Sequence, residues 1–368
     1  MSQASPYKTW PDFLKAPPQA RPVLVGFDGF IDSLYRVVRD HEGGRKNPYA
    51  DIGEFGREIL GRAGRSGGFE LSRQEVRLGG NAPLMAAGLN ALGLETTCIG
   101  ALGFPDMHAA FQPLAQAGCK LLSVAEAATT SALEFNDGKL MFNDSRPFDG
   151  LDWQAVESTL GAHTTSALAR QSDLIALVGW ANMPSATDLW RGLLSVLKNG
   201  VRQGSPKRIF VDLADISRAP AYKIVELIDV LRGYRILGPV ALGLNENEAL
   251  KMADRLGVAQ GDLKRMAQSL FTALELDLLV VHPRQGAWVL DAAACHWVEG
   301  RVVEKPLLST GGGDHFNAGF CFGCLQGLAP LDAARWAVLV SSLYVELGRS
   351  PGFAEVKTLA AGQGPVNA

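Results

Sequence analysis

Short apolar runs alternate along this chain with longer stretches whose apolar positions recur every three or four residues. PVLVGFDGF (22–30), TTCIGALG (96–103), DLIALVGW (173–180), RIFVDLAD (208–215), VALGLN (240–245) and DLLVVHP (277–283) are runs of the first kind. Such runs, ending in glycine or polar residues, fit buried strands that feed loops. Residues 185–199, 219–232, 246–256 and 262–275 lie between them and read as helices. NAPLMAAGLNALG, from Asn81, places Leu84, Ala87 and Ala91 on one face and reaches Gly93 as a C-cap. The late segments 314–328 and 331–347 predict two apolar helices. Strand and helix in alternation predict an α/β fold with a parallel sheet.

Some segments depart from that rhythm. In SALEFNDGKLMFND (131–144), two short runs flank Asn136-Asp137-Gly138, which is hairpin chemistry. Residues 39–72 are glycine-rich and charged, and residues 1–21 are polar and broken by proline, an arm ahead of the first strand. The economical arrangement is one doubly wound α/β domain over 22–350, with a small β-rich excursion from parts of 30–78 and 120–150.

Composition narrows the function classes. Apolar residues make up 47% of the 368 and charged residues 20%, enough to bury a large core. Lys and Arg number 35 against 38 Asp and Glu, a net charge of −3, so no global field favours nucleic acid or an anionic membrane. Five scattered cysteines and no apolar leader stretch read as reduced thiols in a cytoplasmic protein. Cys321-Phe322-Gly323-Cys324 has no second ligand pair and reads as buried thiols, not a zinc site. Trp180, Trp190, Trp288, Trp297 and Trp336 sit in apolar contexts and read as core.

Four motifs carry candidate chemistry. In Thr310-Gly311-Gly312-Gly313-Asp314, three glycines precede an apolar helix and leave backbone N–H groups open at its N-terminus, a ready anion site. A carboxylate beside such a cradle can accept a hydroxyl proton while the cradle holds a phosphoryl group, although Asp314 could equally be a structural cap. Gly79-Gly80-Asn81 opens a helix of small residues, where the glycines permit either close approach of a ligand or tight packing. Asn245 and Glu248 have the spacing of a capping box, and they also have the oxygen chemistry to orient water around Mg²⁺. Asp28 and Asp32 follow the first strand, where open α/β sheets bind ligands and a carboxylate can accept hydrogen bonds from a polyol. Neither G-x-x-x-x-G-K-S/T nor a G-x-G-x-x-G after the first strand is present, which disfavours P-loop ATPases and classical dehydrogenases.

In chain order, GGNAPLMAAGLNALG, LNENEA and GGGDHFNAGF resemble the signatures of the phosphofructokinase-B family of carbohydrate kinases, with a ribokinase-like fold, over roughly residues 22 to 350. The resemblance implies ATP-dependent phosphorylation of a hydroxyl on a small sugar or sugar-like acceptor. It makes Asp314 the base and the backbone of Gly311, Gly312 and Gly313 the anion hole. It puts Thr310 and Gly286 beside the nucleotide and has Asn245 and Glu248 organise Mg²⁺ through water. Gly79, Gly80, Asn81, Asp28 and Asp32 fall on the acceptor side. The β-rich excursion becomes a lid that closes over the sugar and can mediate a homodimer. Two positions depart from the family pattern: Leu84 stands where an acceptor-reading asparagine is common, and Leu308 where an aspartate is usual. Two alternatives stay open at this point, a kinase of nucleosides or other small alcohols and a sensor that binds without turnover. His315, next to the proposed base, reads as incidental.

Overall fold

The computed structural model of the chain describes residues 8–198, 206–258, 261–308 and 310–362. Its strands are β1 (Pro22–Phe27), β2 (Phe30–Glu42), β3 (Arg45–Pro48), β4 (Glu70–Gly79), β5 (Glu95–Gly100), β6 (Lys120–Ser123) and β7 (Ala128–Glu134). They continue with β8 (Lys139–Asp144), β9 (Leu174–Leu177), β10 (Arg208–Asp212), β11 (Val240–Asn245), β12 (Leu278–His282), β13 (Gly286–Leu290) and β14 (Cys295–Glu299). Nine of them form one sheet in the order β14-β13-β12-β11-β10-β9-β1-β5-β6. From β12 to β6 every pairing is parallel, and β13 and β14 close the far edge as antiparallel strands. The apolar runs form this parallel core because both faces are covered: every residue of β9 is buried, as is every residue of β11 but the last. One large apolar cluster lies on each face of the sheet, one around Leu177, Trp190 and Tyr234 and the other around Met85, Phe322 and Trp336.

The second sheet is built on β2, which pairs antiparallel with β3 and β4 and parallel with β7, while β7 pairs antiparallel with β8. The run at 22–30 is therefore not one strand. It ends at Phe27, and after Asp28 and Gly29 the chain passes directly into β2, which belongs to the other sheet. Weak periodicity over 39–72 hid the end of this long strand and a helix, Ile52–Gly61, because an exposed strand needs few apolar residues.

The main body also reaches past 22–350 at both ends. A short helix, Trp10–Lys15, inserts Phe13 against Trp336 with ring centroids 4.9 Å apart, and the helix Phe353–Gly362 buries Val356 and Ala360. Trp288 and Trp297 are not fully buried. They face each other across β13 and β14 with centroids 5.0 Å apart, whereas Trp190 and Trp336 are 0% exposed.

Candidate active site

The parallel strands deliver polar side chains to one rim. Asp28 follows β1, Asn182 lies beyond β9, and Asp212, Asn245 and His282 end β10, β11 and β12. Strand order reverses around β1, whose neighbours are β9 and β5. In an open α/β sheet, a crevice forms outside the carboxyl ends at such a reversal.

Asp28 corrects the reading that set it against the acceptor. It is 0% exposed and its oxygens are already taken: Oδ1 accepts from the Ala82 N–H at 2.7 Å, and Oδ2 from the Asn81 N–H at 3.1 Å and Asn182 Nδ2 at 2.9 Å. It therefore caps the Asn81–Ala91 helix from a distant strand, which the Gly80 N-cap, having no side chain, cannot do. Asn182 Nδ2 also donates to Asn81 Oδ1 at 3.1 Å, and Asn81 Nδ2 donates to Asp314 Oδ1 at 2.9 Å. The chain Asp28–Asn182–Asn81–Asp314 fixes the orientation of the last carboxyl group.

Asp314 belongs to the first turn of the Gly312–Leu325 helix and is buried. Burial and then the charge of Asp212 hold its carboxyl well above the usual carboxylate range. Glu248 is pushed up to about 9 by burial and by Asp212, and Asp28 to about 6 by burial. Asp212 is raised by burial too, although Asn317 Nδ2 donates to it at 2.7 Å and the Ala214 N–H at 2.9 Å. Asn245 and Glu248 form the capping box in full, each side chain accepting the other's backbone N–H at 2.9 Å. The cap and the rim position coexist, because Asn245 still lines a cavity.

The glycine loop separates two cavities. One, of about 540 Å³, is lined by Asn245, His282, Gly286, Gly312 and Gly313, and the other, of about 300 Å³, by Asp32, Arg77, Leu84, Thr310 and Tyr344. Leu308 borders both. Gly311 turns the chain with φ of +86°, and a Cβ there would lie 2.6 Å from the Tyr344 hydroxyl, so this position needs glycine. His315 is not incidental. Its Nδ1–H donates to the Gly311 carbonyl at 2.8 Å, its Nε2 accepts from the Ser350 hydroxyl at 2.8 Å, and its ring stacks on Tyr344 with centroids 3.5 Å apart. Burial pushes it down to about 4, so the imidazole is neutral and braces the loop.

The second sheet reaches the same loop. Asp32 is 8% exposed and packs against Gly79, where a Cβ would meet its carboxyl carbon at 2.4 Å. Burial raises its carboxyl, opposed by a hydrogen bond with Thr130 and by the charges of Arg77 and Lys139. Arg77 Nη2 donates to Thr310 Oγ1 at 2.9 Å and Lys139 Nζ to the same oxygen at 3.4 Å. Neither cation carries a sequence signal, nor does Asp212 or Asn182. Only pairing of β4 with β2 and of β8 with β7 brings the two cations to the loop.

Comparison with known proteins gives this arrangement a lineage. The family described as prokaryotic ketohexokinase matches residues 11–363. The chain belongs to that family. It is thus a carbohydrate kinase, and the three motifs above are those of the wider phosphofructokinase-B group. A ketohexokinase from Haloferax volcanii is 26% identical over 345 residues, covering 92% of this chain and 91% of its own. Among solved structures, adenosine kinase from Sinorhizobium meliloti superposes with a TM-score of 0.65 at 19% identity, over 94% of this chain and 99% of its own. A ribokinase from Arabidopsis thaliana, complexed with ribose and ATP, gives 0.66 at 15% identity, over 93% and 99%. These likenesses make the fold ribokinase-like. Members of the family transfer phosphate to sugars, and among the described residues no helix is long and apolar enough to cross a membrane.

Proposed function

We propose that the chain transfers the γ-phosphate of ATP to a hydroxyl group of a ketohexose, with Asp314 as general base. The observation that carries this reading is the position of Asp314, buried at a helix N-terminus between Gly313, which lines the larger cavity, and His315, which lines the smaller, and oriented by Asn81. ATP would occupy the larger cavity beside Asn245, Gly286 and His282. The sugar would occupy the smaller one against Asp32, where Leu84 and Ala87 offer an apolar wall in place of a hydrogen-bonding side chain.

Asp314 takes the proton of the attacking hydroxyl. The N–H groups of Gly312 and Gly313 and the positive end of the helix dipole stabilise charge on the phosphoryl oxygens, and Gly311 sets the turn that aims them. The chemistry is mostly positioning and charge stabilisation.

The donor set fits Mg²⁺ held through water. Glu248 and Asp212 are buried carboxylates that destabilise each other, and no basic side chain lies within 4 Å of either among the described residues. No three acidic, histidine or cysteine side chains among the described residues converge tightly enough to chelate an ion directly. Bound there, Mg²⁺ would offset the charges of the carboxylates and phosphates. Asn245 and Glu248 would hold its waters.

The test is turnover of MgATP with fructose, alongside a panel of aldoses, sugar acids and nucleosides. Phosphorylation of the ketohexose with the highest kcat/KM is expected. Asp314→Asn should keep affinity for nucleotide and sugar and lose kcat by about 10³-fold. Normal turnover in that variant removes Asp314 as base, and preference for a nucleoside moves the acceptor assignment.

A further inference from the structure

Two cations of the second sheet reach the glycine loop, and the reaction as described uses neither. Arg77 stands directly opposite Asp32 across β4 and β2. Even so, the one carboxylate oxygen within 4 Å of it, among the described residues, is Glu75 Oε2 at 3.9 Å. Its only hydrogen bond among those residues goes from Nη2 to the Thr310 hydroxyl, at 2.9 Å. A guanidinium has five N–H donors, so the rest of this one, only 18% exposed, faces the 300 Å³ cavity without a protein acceptor. Lys139 arrives from β8, holds Glu134 at 2.6 Å and reaches the same Thr310 oxygen at 3.4 Å. Donors of a fixed guanidinium that open on a cavity are placed to take acceptor oxygens from whatever fills it, and charge-assisted bonds to an anion are the strongest of these. Thr310 immediately precedes the three glycines, so the anion nearest to hand is the phosphoryl group in transit.

We propose that Arg77, supported by Lys139, donates hydrogen bonds to the non-bridging oxygens of that phosphoryl group. The inference rests on phosphoryl transfer at Asp314. In the step, the bond from phosphorus to the ADP oxygen breaks, the bond to the acceptor oxygen forms, and Asp314 takes the hydroxyl proton. Arg77 exchanges no proton and contributes planar, bidentate charge that is needed most when the phosphoryl is in flight.

The experiment compares wild type with Arg77→Met, Arg77→Lys, Arg77→Ala and Lys139→Met. It measures kcat, KM for fructose, and the Kd of MgADP with and without aluminium fluoride. For Arg77→Met, kcat should fall about 10²-fold to 10³-fold while KM for fructose moves less than about threefold. Its affinity for the aluminium fluoride complex should weaken by a similar factor, with that for MgADP nearly unchanged. Arg77→Lys should retain part of the rate, added guanidinium should restore part of it to Arg77→Ala, and Lys139→Met should lose about tenfold. A raised KM for fructose at unchanged kcat would make Arg77 an acceptor contact and overturn the proposal. Equal weakening of both nucleotide complexes would overturn it as well, by reducing Arg77 to a folding role. If wild-type protein phosphorylates no ketohexose, the failure lies in the kinase assignment and not in Arg77.

Discussion

The two sheets meet at one loop but are built in different ways. In the main body β9 and β11 are buried almost throughout, and large apolar clusters cover both faces of the sheet. In the second sheet most of β4 is exposed, and the packing depends on a cluster of Val37, Tyr49, Phe55, Leu133 and Phe135. The body can therefore hold Asp314 and the glycine loop in fixed geometry. The second sheet has a smaller core of its own and joins the body through Phe30, Ile31, Leu78 and Ala128, and it carries Asp32, Arg77 and Lys139 at the end nearest the loop. A rigid half that positions and a half with a smaller core that brings charge suit a reaction in which the site must first admit a sugar and then exclude water.

Breaking each core separately tests that contrast most strongly. Leu177→Ala, at a 0% exposed position of β9, should lower the unfolding free energy of the whole molecule by about 2–5 kcal/mol in a denaturant titration. Phe55→Ala removes a ring packed 4.9 Å from Phe69 and 5.5 Å from Phe135. It should leave the main transition nearly unmoved, speed amide exchange in β2, β4 and β7, and raise KM for the sugar. Cooperative loss of both regions would show that they are one stability unit.

At the seam, Gly311→Ala forces a Cβ onto the Tyr344 hydroxyl at a φ of +86°. About a 10²-fold loss of kcat is expected, with nucleotide affinity preserved within a few fold, read by steady-state kinetics and calorimetry. A smaller effect should come from His315. Its folded value of about 4 lies below the ordinary 6.5, so as pH falls the unfolded chain takes the proton first. Its contribution is present above pH 6.5 and is lost progressively toward pH 4, reaching about 3 kcal/mol. His315→Asn should flatten the fall in Tm over that window. The mildest test is the kinetic pH profile: with Asp314 raised by burial and Asp212, the acid limb of kcat should lie above the range of a free carboxylate.

The glycine loop and its aspartate were legible because their chemistry is local: four consecutive residues set both a turn and a helix terminus. Asn245 and Glu248 were legible for the same reason, and their capping box formed as the spacing requires. Asp28 was visible but assigned the wrong partner, since nothing near it in the chain shows that its oxygens bond to Asn81, Ala82 and Asn182. Arg77 and Lys139 were invisible because surface-patterned strands are full of charges, and only strand register selects which of them faces inward.

The sequence alone determined the alternation of strand and helix, the glycines that open the two helices and the presence of a carboxylate just after three glycines at a helix N-terminus. These depend on periodicity and backbone freedom, which are properties of neighbours in the chain. The tertiary structure decided the electrostatics. Asn81 meets Asp314, and Arg77 meets Thr310, each across a separation of 233 residues. Burial, not residue type, raised Asp314 and made His315 a neutral brace. Charge acts through space and solvent exclusion, and neither exists until the two sheets have closed around the loop.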